Sequence, residues 1–362
     1  MQQEKPYGLK TPVEGTFRRA LIIRLGGLGD ILLATPTARA LAQAYPGIRI
    51  DFAVGKGLTE VLSGLPYIDN VLEFHKYGRG ALPHRLFAFL WKVRRAGYDL
   101  FINLQPSAKT ALIGRASKAG AQIIFAKDRR PQPETGRVRH AIDDFYKELA
   151  VIDITGTLDR SMDFHVPHEA ADRVDRLLQK AKVRREDRLV VLNPAATRLV
   201  NRWPTERFAQ VCDLLNDEGI RVAVTGGALD RPIIDHLKAN ARSAARLIDL
   251  GGQLSIKELG ALLTRANAFL TCDTGPMHIA AALDTPLVCL SGAADPDRTG
   301  PLSPRSVVLI DRTLPCVPCQ NKHCLYGKDI RCMTGLSVAN VIDALKKQLA
   351  EQPASRVLQT TG

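Results

Sequence analysis

Arg24-Leu-Gly-Gly-Leu-Gly-Asp30 follows an apolar run and opens a helical one. Glycines at 26, 27 and 29 let the backbone turn tightly and let a ligand approach it closely. The start of a helix then offers N–H groups and a positive dipole end to an anion. The spacing differs from the G-x-G-x-x-G dinucleotide fingerprint. Asp30 suits two roles: the N-cap of its helix, or a carboxylate at the mouth of a cleft that accepts the proton of a hydroxyl. Pro36 falls at the seventh position of a helix read from Asp30, past the turn where proline is harmless. A local rule broken so near a glycine-rich loop fits a functional site.

Two further stretches carry the same kind of chemistry. Cys272-Asp-Thr-Gly-Pro-Met-His278 again follows a strand-like run. Pro276 suits a first helical position, and Thr274 and Gly275 bring N–H groups and a hydroxyl just ahead of it. That makes a phosphate seat with an acid, Asp273, beside it; an ordinary capped strand-to-helix turn reads the same way. His278 lies among apolar neighbours and also suits a packed core histidine. In Asn193-Pro-Ala-Ala-Thr-Arg-Leu-Val-Asn-Arg-Trp-Pro204, a loop with Thr197, Arg198 and Arg202 leads into a helix after Pro204. Two guanidiniums and a hydroxyl can hold a diphosphate without a metal ion.

Cys316, Cys319, Cys324 and Cys332 are spaced C-x2-C-x4-C-x7-C. Spacing alone makes a zinc or iron–sulfur site a candidate; reduced or partly paired structural thiols are the other reading. Lys322, His323, Lys328 and Arg331 make this loop basic.

The elements that must position these residues alternate. Strand-like runs fall at 20–24, 48–54, 70–74, 98–103 and 121–125, with helical stretches such as 30–45 and 84–96 between them. The pattern repeats with strands at 188–193, 220–225, 246–250, 268–272, 286–290 and 306–310, and helices at 205–217, 256–265 and 276–283. Alternation with apolar strands predicts parallel sheets covered on both faces, hence an α/β chain of two doubly wound domains. The expected division is a tail at 1–16, a first domain at 17–167, a charged helical join at 168–187, a second domain at 188–350 and a tail at 351–362. Ligands of such sheets sit beyond the carboxyl ends of the strands, so two halves would hold theirs in the cleft between them.

With 362 residues, the chain is long for one ordinary domain and suits two. Hydrophobic residues at 45% and charged residues at 24% exclude a predominantly disordered chain. The formal charge of +13 favours an anionic partner: nucleic acid, a phosphorylated small molecule or an acidic membrane face. Aromatics at only 6% lack the basic–aromatic interleaving of nucleic-acid modules, so no nucleic-acid partner is expected. Met1–Thr16 has no apolar core and is read as a mobile tail rather than a signal peptide. No run of eighteen apolar residues occurs, which excludes a spanning helix. Seven cysteines, an odd number in a chain that needs no staples, suggest a reduced cytoplasmic setting.

RLGGLGDILLATP, NRWPTERFA and CDTGPMHIAAALDTP, in that order, resemble the heptosyltransferases of lipopolysaccharide core assembly, glycosyltransferase family 9. The resemblance runs from about Arg19 to Leu345. It includes Asn103-Leu-Gln105, the stretch His140–Leu149 and Asp295-Pro-Asp-Arg-Thr-Gly-Pro301. It implies a GT-B fold, two Rossmann-like domains facing across a cleft. It also implies inverting, metal-independent transfer of heptose from ADP-L-glycero-D-manno-heptose to a lipid A–core acceptor. Asp30 falls on the family's catalytic base, with Gly26, Gly27 and Gly29 as its loop. Thr274, Gly275 and Thr197 fall on diphosphate contacts, and Asp273 on a residue that holds sugar hydroxyls. Asp230 takes the place of an acid that binds the ribose, and Leu254 that of an apolar side chain packed on adenine. Arg198, Arg202 and His278 complete the donor-binding set. Relatives usually carry a lysine where this chain has Asn201, and some carry threonine at Ala196. Arg202 or Arg198 would then supply the missing charge. Cysteines recur in relatives near 316–332 without an established metal, so no metal is assigned and no cofactor is required.

An acidic acceptor calls for cations on the first domain. Two stretches qualify: 75–95, with Lys76, Arg79, His84 and Arg85, and 127–140, with Arg129, Arg130, Arg137 and Arg139. A solvated surface face accounts for the same charges. The expected partners are a nucleotide-sugar donor, the lipid A–core oligosaccharide and an anionic membrane surface. The expected location is the cytoplasmic face of the inner membrane, as a peripheral protein. The alternatives are a family 9 enzyme with another donor or acceptor, and a non-catalytic homologue that binds nucleotide-sugar.

Overall fold

A computed structural model describes residues 16–75, 83–128, 130–327 and 329–350. The chain forms two compact units. Of the described residues, one unit comprises those up to Pro167 together with Asp297–Leu302; the other comprises His168–Pro296 and those from Ser303 onward.

The first unit is built on five strands: β1 (Arg19–Ile23), β2 (Arg49–Gly55), β3 (Asn70–Phe74), β4 (Leu100–Asn103) and β5 (Ala121–Ile124). Their order is β3-β2-β1-β4-β5, and every pairing is parallel. The central strands β1 and β4 are apolar and buried along almost their whole length, as a sheet covered on both faces demands. Leu21, Ile23, Leu72, Phe74 and Phe101 pack against Val93 and Ile113 of the covering helices Pro83–Arg95 and Ala108–Ser117.

Six strands form the second unit's sheet: β6 (Leu189–Asn193), β7 (Arg221–Val224), β8 (Ile248–Asp249), β9 (Ala268–Cys272), β10 (Leu287–Ser291) and β11 (Ser306–Ile310). The order is β11-β10-β9-β6-β7-β8, again all parallel. Trp203, Phe208, Val222, Leu270 and Leu345 belong to its main core. Both strand series therefore lie where the alternation of the sequence places them, within two residues at most ends.

Several local readings change. The helix read over 30–45 is two helices, Leu28–Leu32 and Thr35–Ala44. Pro36 consequently sits in the first turn of the second helix, where its missing N–H costs nothing, and it breaks no rule. Asp30 is not an N-cap: Gly27 occupies that place and Asp30 lies in the first turn. The charged helical stretch expected as a join, 168–187, does contain a helix, His168–Lys180, and packs as part of the second unit. That helix packs on Ile256–Arg265 in the second unit, with Arg265 Nε 3.3 Å from Asp175. The segment Asp297–Leu302 leaves the second series altogether and packs as part of the first unit.

Candidate active site

In a doubly wound sheet, the ligand crevice lies beyond the carboxyl ends of the strands, where the strand order reverses. In the first sheet that place is between β1 and β4. The glycine loop leaves β1 there, and Leu104-Gln105 leaves β4 beside it. Gln105 accepts from the Leu25 N–H at 2.9 Å through its Oε1, and its own N–H is held by Asn103 Oδ1 at 3.1 Å. The Asn-Leu-Gln motif thus props the glycine loop from the neighbouring strand. A β-carbon on Gly26 would lie 3.1 Å from Gln105 Nε2, so the close approach is part of the design.

Gly27 is held at φ +67°, in the left-handed region that favours glycine. An added β-carbon would lie 2.7 Å from Asp30 Oδ2. Gly29 is buried within the first turn. The Asp30 side chain is 41% exposed and faces Arg24, whose guanidinium lies 2.9 Å from Oδ1. Arg24 is itself fixed: it donates to the Leu104 carbonyl at 2.8 Å and lies 5.3 Å from the centre of the Phe145 ring. The result is an accessible carboxylate with one face oriented by a largely buried cation.

The short helix Ala141–Tyr146 that supplies Phe145 also carries Asp144, fully buried. Arg298 donates to Asp144 at 3.1 Å, and His140 Nε2 lies 3.2 Å from the Gly300 carbonyl. Two motifs that the sequence presents without a role, 140–149 and 295–301, are therefore halves of one packing device. Arg24 and Gln105 likewise belong to quoted motifs but carry no role in the sequence reading. A polar residue just beyond an apolar strand is the signal that marks Arg24 and Gln105; Asp144 and Arg298 carry no such local signal.

In the second sheet the order reverses between β6 and β9. The loop after β6 carries Thr197 and Arg198, both exposed, and Arg202, whose Nε donates to the Ala196 carbonyl at 2.7 Å. The loop after β9 carries Asp273, Thr274 and Gly275, which opens the helix Gly275–Ala282. Thr274 is the N-cap in extended geometry, and its hydroxyl makes no capping bond. The two loops are joined by Asn201, whose Nδ2 lies 3.4 Å from the Asp273 carbonyl. Asn201 is buried at 6% exposure and its Oδ1 has no hydrogen-bond partner.

Asp230 follows β7 and accepts the Gly227 N–H at 2.8 Å. Leu254 follows β8, half-buried, just before the helix capped by Ser255. His278 is buried, and desolvation pushes its pKa down to about 4. It is neutral at ordinary pH, with Nδ1 unpartnered.

The stretch 127–140 has its described arginines engaged: Arg130 with Asp128 at 3.1 Å, Arg137 with Asp297 at 3.8 Å and Arg139 with Asp144 at 3.6 Å. Arg129 lies outside the described residues, as do Lys76, Arg79 and Lys328. His84 and Arg85 are exposed on Pro83–Arg95. The seven cysteines are free thiols. Burial pushes the Cys332 thiol up to about 11, and the nearby Cys319, Cys316 and Cys324 add to the rise. The four cysteines thus gather, yet among the described residues no three Cys, His, Asp or Glu groups are placed to hold a metal ion.

Similarity to known proteins converges on one family. Residues 86–329 match the model of glycosyltransferase family 9 (heptosyltransferase). Lipopolysaccharide heptosyltransferase 3 of Escherichia coli strain K12 is 30% identical over 285 residues, covering 74% of this chain and 80% of that one. Among solved structures, a family 9 glycosyl transferase from Veillonella parvula superposes with a TM-score of 0.79 at 24% identity, over 94% of this chain and 99% of that one. The ADP-heptose LPS heptosyltransferase II of E. coli gives 0.75 at 21% identity, over 92% and 99%. The architecture is that of these structures, the GT-B fold with its two parallel-sheet α/β domains.

Proposed function

This chain belongs to glycosyltransferase family 9, and we propose that it transfers heptose from ADP-L-glycero-D-manno-heptose to the lipid A–core acceptor of lipopolysaccharide, with inversion and without a metal ion. One observation carries the reading. The groups assigned to the donor stand at the carboxyl ends of four neighbouring strands, β9, β6, β7 and β8, in the order in which an ADP-sugar presents its parts. Asp273, Thr274 and Gly275 after β9, with Thr197 and Arg198 after β6, take the sugar and diphosphate. Asp230 after β7 takes the ribose, and Leu254 after β8 takes the adenine. Four strands span on the order of 14 Å at the usual spacing, which suits an extended nucleotide-sugar.

Asp30 accepts the proton of the acceptor hydroxyl as that oxygen attacks the anomeric carbon. The carbon–oxygen bond to ADP breaks on the opposite face. Arg24 keeps the carboxylate oriented without covering it. The first N–H groups of Gly275–Ala282 and the guanidinium of Arg198 stabilise the charge that grows on the leaving diphosphate. No helix among the described residues is long and apolar enough to cross a membrane, and a peripheral position at the cytoplasmic face of the inner membrane suits the acceptor.

Asn201 favours a second reading, a family 9 enzyme with a different donor sugar. A neutral, buried amide stands where the resemblance leads one to expect a lysine. Turnover of purified protein with ADP-heptose and a panel of truncated core acceptors, read as ADP release in EDTA, tests both. Release with one acceptor supports the first reading; no release from folded protein, with release from another ADP-sugar, establishes the second.

A further inference from the structure

We propose that the exposed face of the helix Pro83–Arg95 docks the protein on an anionic lipid bilayer. The sequence of this helix, PHRLFAFLWKVRR, contains no acidic residue. Leu86, Phe89, Leu90 and Val93 face inward onto the first unit's core, and the Phe89 ring meets that of Phe74 edge-on at 5.0 Å. That seat fixes the opposite face. Phe87 and Trp91, one turn apart, are 72% and 53% exposed. Large aromatics are ordinarily the most protected residues of a fold, so two neighbours left in water call for a partner. His84, Arg85, Lys92, Arg94 and Arg95 surround them, all exposed. The Arg95 guanidinium lies 4.5 Å from the centre of the Trp91 ring.

Aromatic side chains flanked by cations on a rigid amphipathic helix match a membrane interface. The rings enter the boundary between headgroups and acyl chains, and the cations meet anionic headgroups. A nucleic acid would meet the same charge. Its bases can stack on an exposed ring, but it has no apolar phase to receive the edge formed by Phe87, Ala88 and Trp91, whereas a bilayer gains from both the charge and the apolar edge. The proposal deepens the functional reading and rests on it for its purpose: an enzyme whose acceptor is a lipid works where that lipid is.

Co-sedimentation of the full chain with vesicles tests the surface without any substrate. Binding is expected to vesicles of phosphatidylcholine with one-quarter phosphatidylglycerol, and to weaken sharply with phosphatidylcholine alone or in half-molar salt. The chain has two tryptophans, and Trp203 is buried; a blue shift on binding therefore reports Trp91. The double variant Phe87→Ser/Trp91→Ser should lose at least tenfold in vesicle partitioning. Lys92→Ala and Arg94→Ala should each cost on the order of fivefold. All should keep the wild-type affinity for ADP, whose proposed site lies on the other unit. Wild-type partitioning in the double variant would overturn the proposal, as would binding of single-stranded RNA in preference to the anionic vesicles. Failure of heptose transfer with vesicle binding intact would instead remove the functional reading and leave the docking surface standing.

Discussion

Asp144 and Arg298, 154 positions apart in the chain, form an ion pair at 3.1 Å with side chains 0% and 8% exposed. A charge removed so completely from water is tolerable only while its partner is present. Lys147 at 3.1 Å and Arg139 at 3.6 Å add to the positive field around the same carboxylate. Asp144→Ala therefore strands three cations. The expected cost is about 3–5 kcal/mol, read as loss of the first unit's unfolding transition at lower temperature or denaturant. The double variant Asp144→Leu/Arg298→Met should recover part of that loss. A double variant no better than Asp144→Ala would show that the pair is not the source of the stability.

The glycine at 27 and the carboxylate at 30 make a second, separable prediction. Asp30→Ala should lower the turnover number by about 10²–10⁴-fold while leaving ADP affinity unchanged by calorimetry. Gly27→Ala should lower turnover as well, because its φ of +67° and a 2.7 Å encounter with Asp30 Oδ2 displace the carboxylate. Its ADP affinity should also be unchanged. Normal turnover by Asp30→Ala would end its assignment as the base.

Much of this was legible beforehand, and the failures have a common cause. Short apolar strands separated by amphipathic helices announce a parallel sheet from period and composition alone, and both sheets lie where those signals put them. The glycine loop and the two loops after β6 and β9 were visible because chemistry concentrates unusual residues there. What stayed hidden depended on strand order. Nothing local says that Gln105 supports Leu25, or that β9 lies beside β6. The break at Leu33-Ala34 was hidden because its residues favour helix on both sides. Pro36 lies at the start of a new helix rather than, as the sequence suggests, at a rule-breaking point inside a single one. Arg298 was masked by its motif: an exposed-looking basic residue in a proline-rich loop is in fact the buried partner of Asp144.

The proposed row of donor groups along β9-β6-β7-β8 predicts a graded result rather than a single essential residue. Arg198→Ala, exposed and at the diphosphate end, should raise the KM for the donor about tenfold, with a smaller effect on kcat. Asp230→Ala, at the ribose end, should raise KM for the ADP-sugar and weaken ADP itself. Asn201→Ala should disturb the joint between the two loops through the lost contact with the Asp273 carbonyl. It should therefore lower kcat more than it raises KM. Equal effects of Arg198→Ala on the binding of adenosine and of ADP would show that the guanidinium does not address the phosphates.

His278 sets an acid limit on stability. Its pKa is pushed from the usual 6.5 down to about 4 by burial, so the unfolded chain binds a proton there more readily than the folded one. Stability from this group is complete above pH 6.5. It falls as the pH drops from 6.5 toward 4, because protonation increasingly favours the unfolded state. The full difference is on the order of 3 kcal/mol. Because Nδ1 makes no hydrogen bond, an uncharged replacement of similar shape loses little, and His278→Phe or His278→Gln should flatten the pH profile in this window. Carboxylates such as Asp249, held well below the usual range mainly by hydrogen bonds from Arg231 and Lys238 against the opposing effect of burial, lose their contribution only at lower pH. The two effects are therefore separable in a denaturant titration at pH 7, 6 and 5. If wild type and His278→Gln lose equal stability between pH 7 and 5, the histidine is not the group responsible.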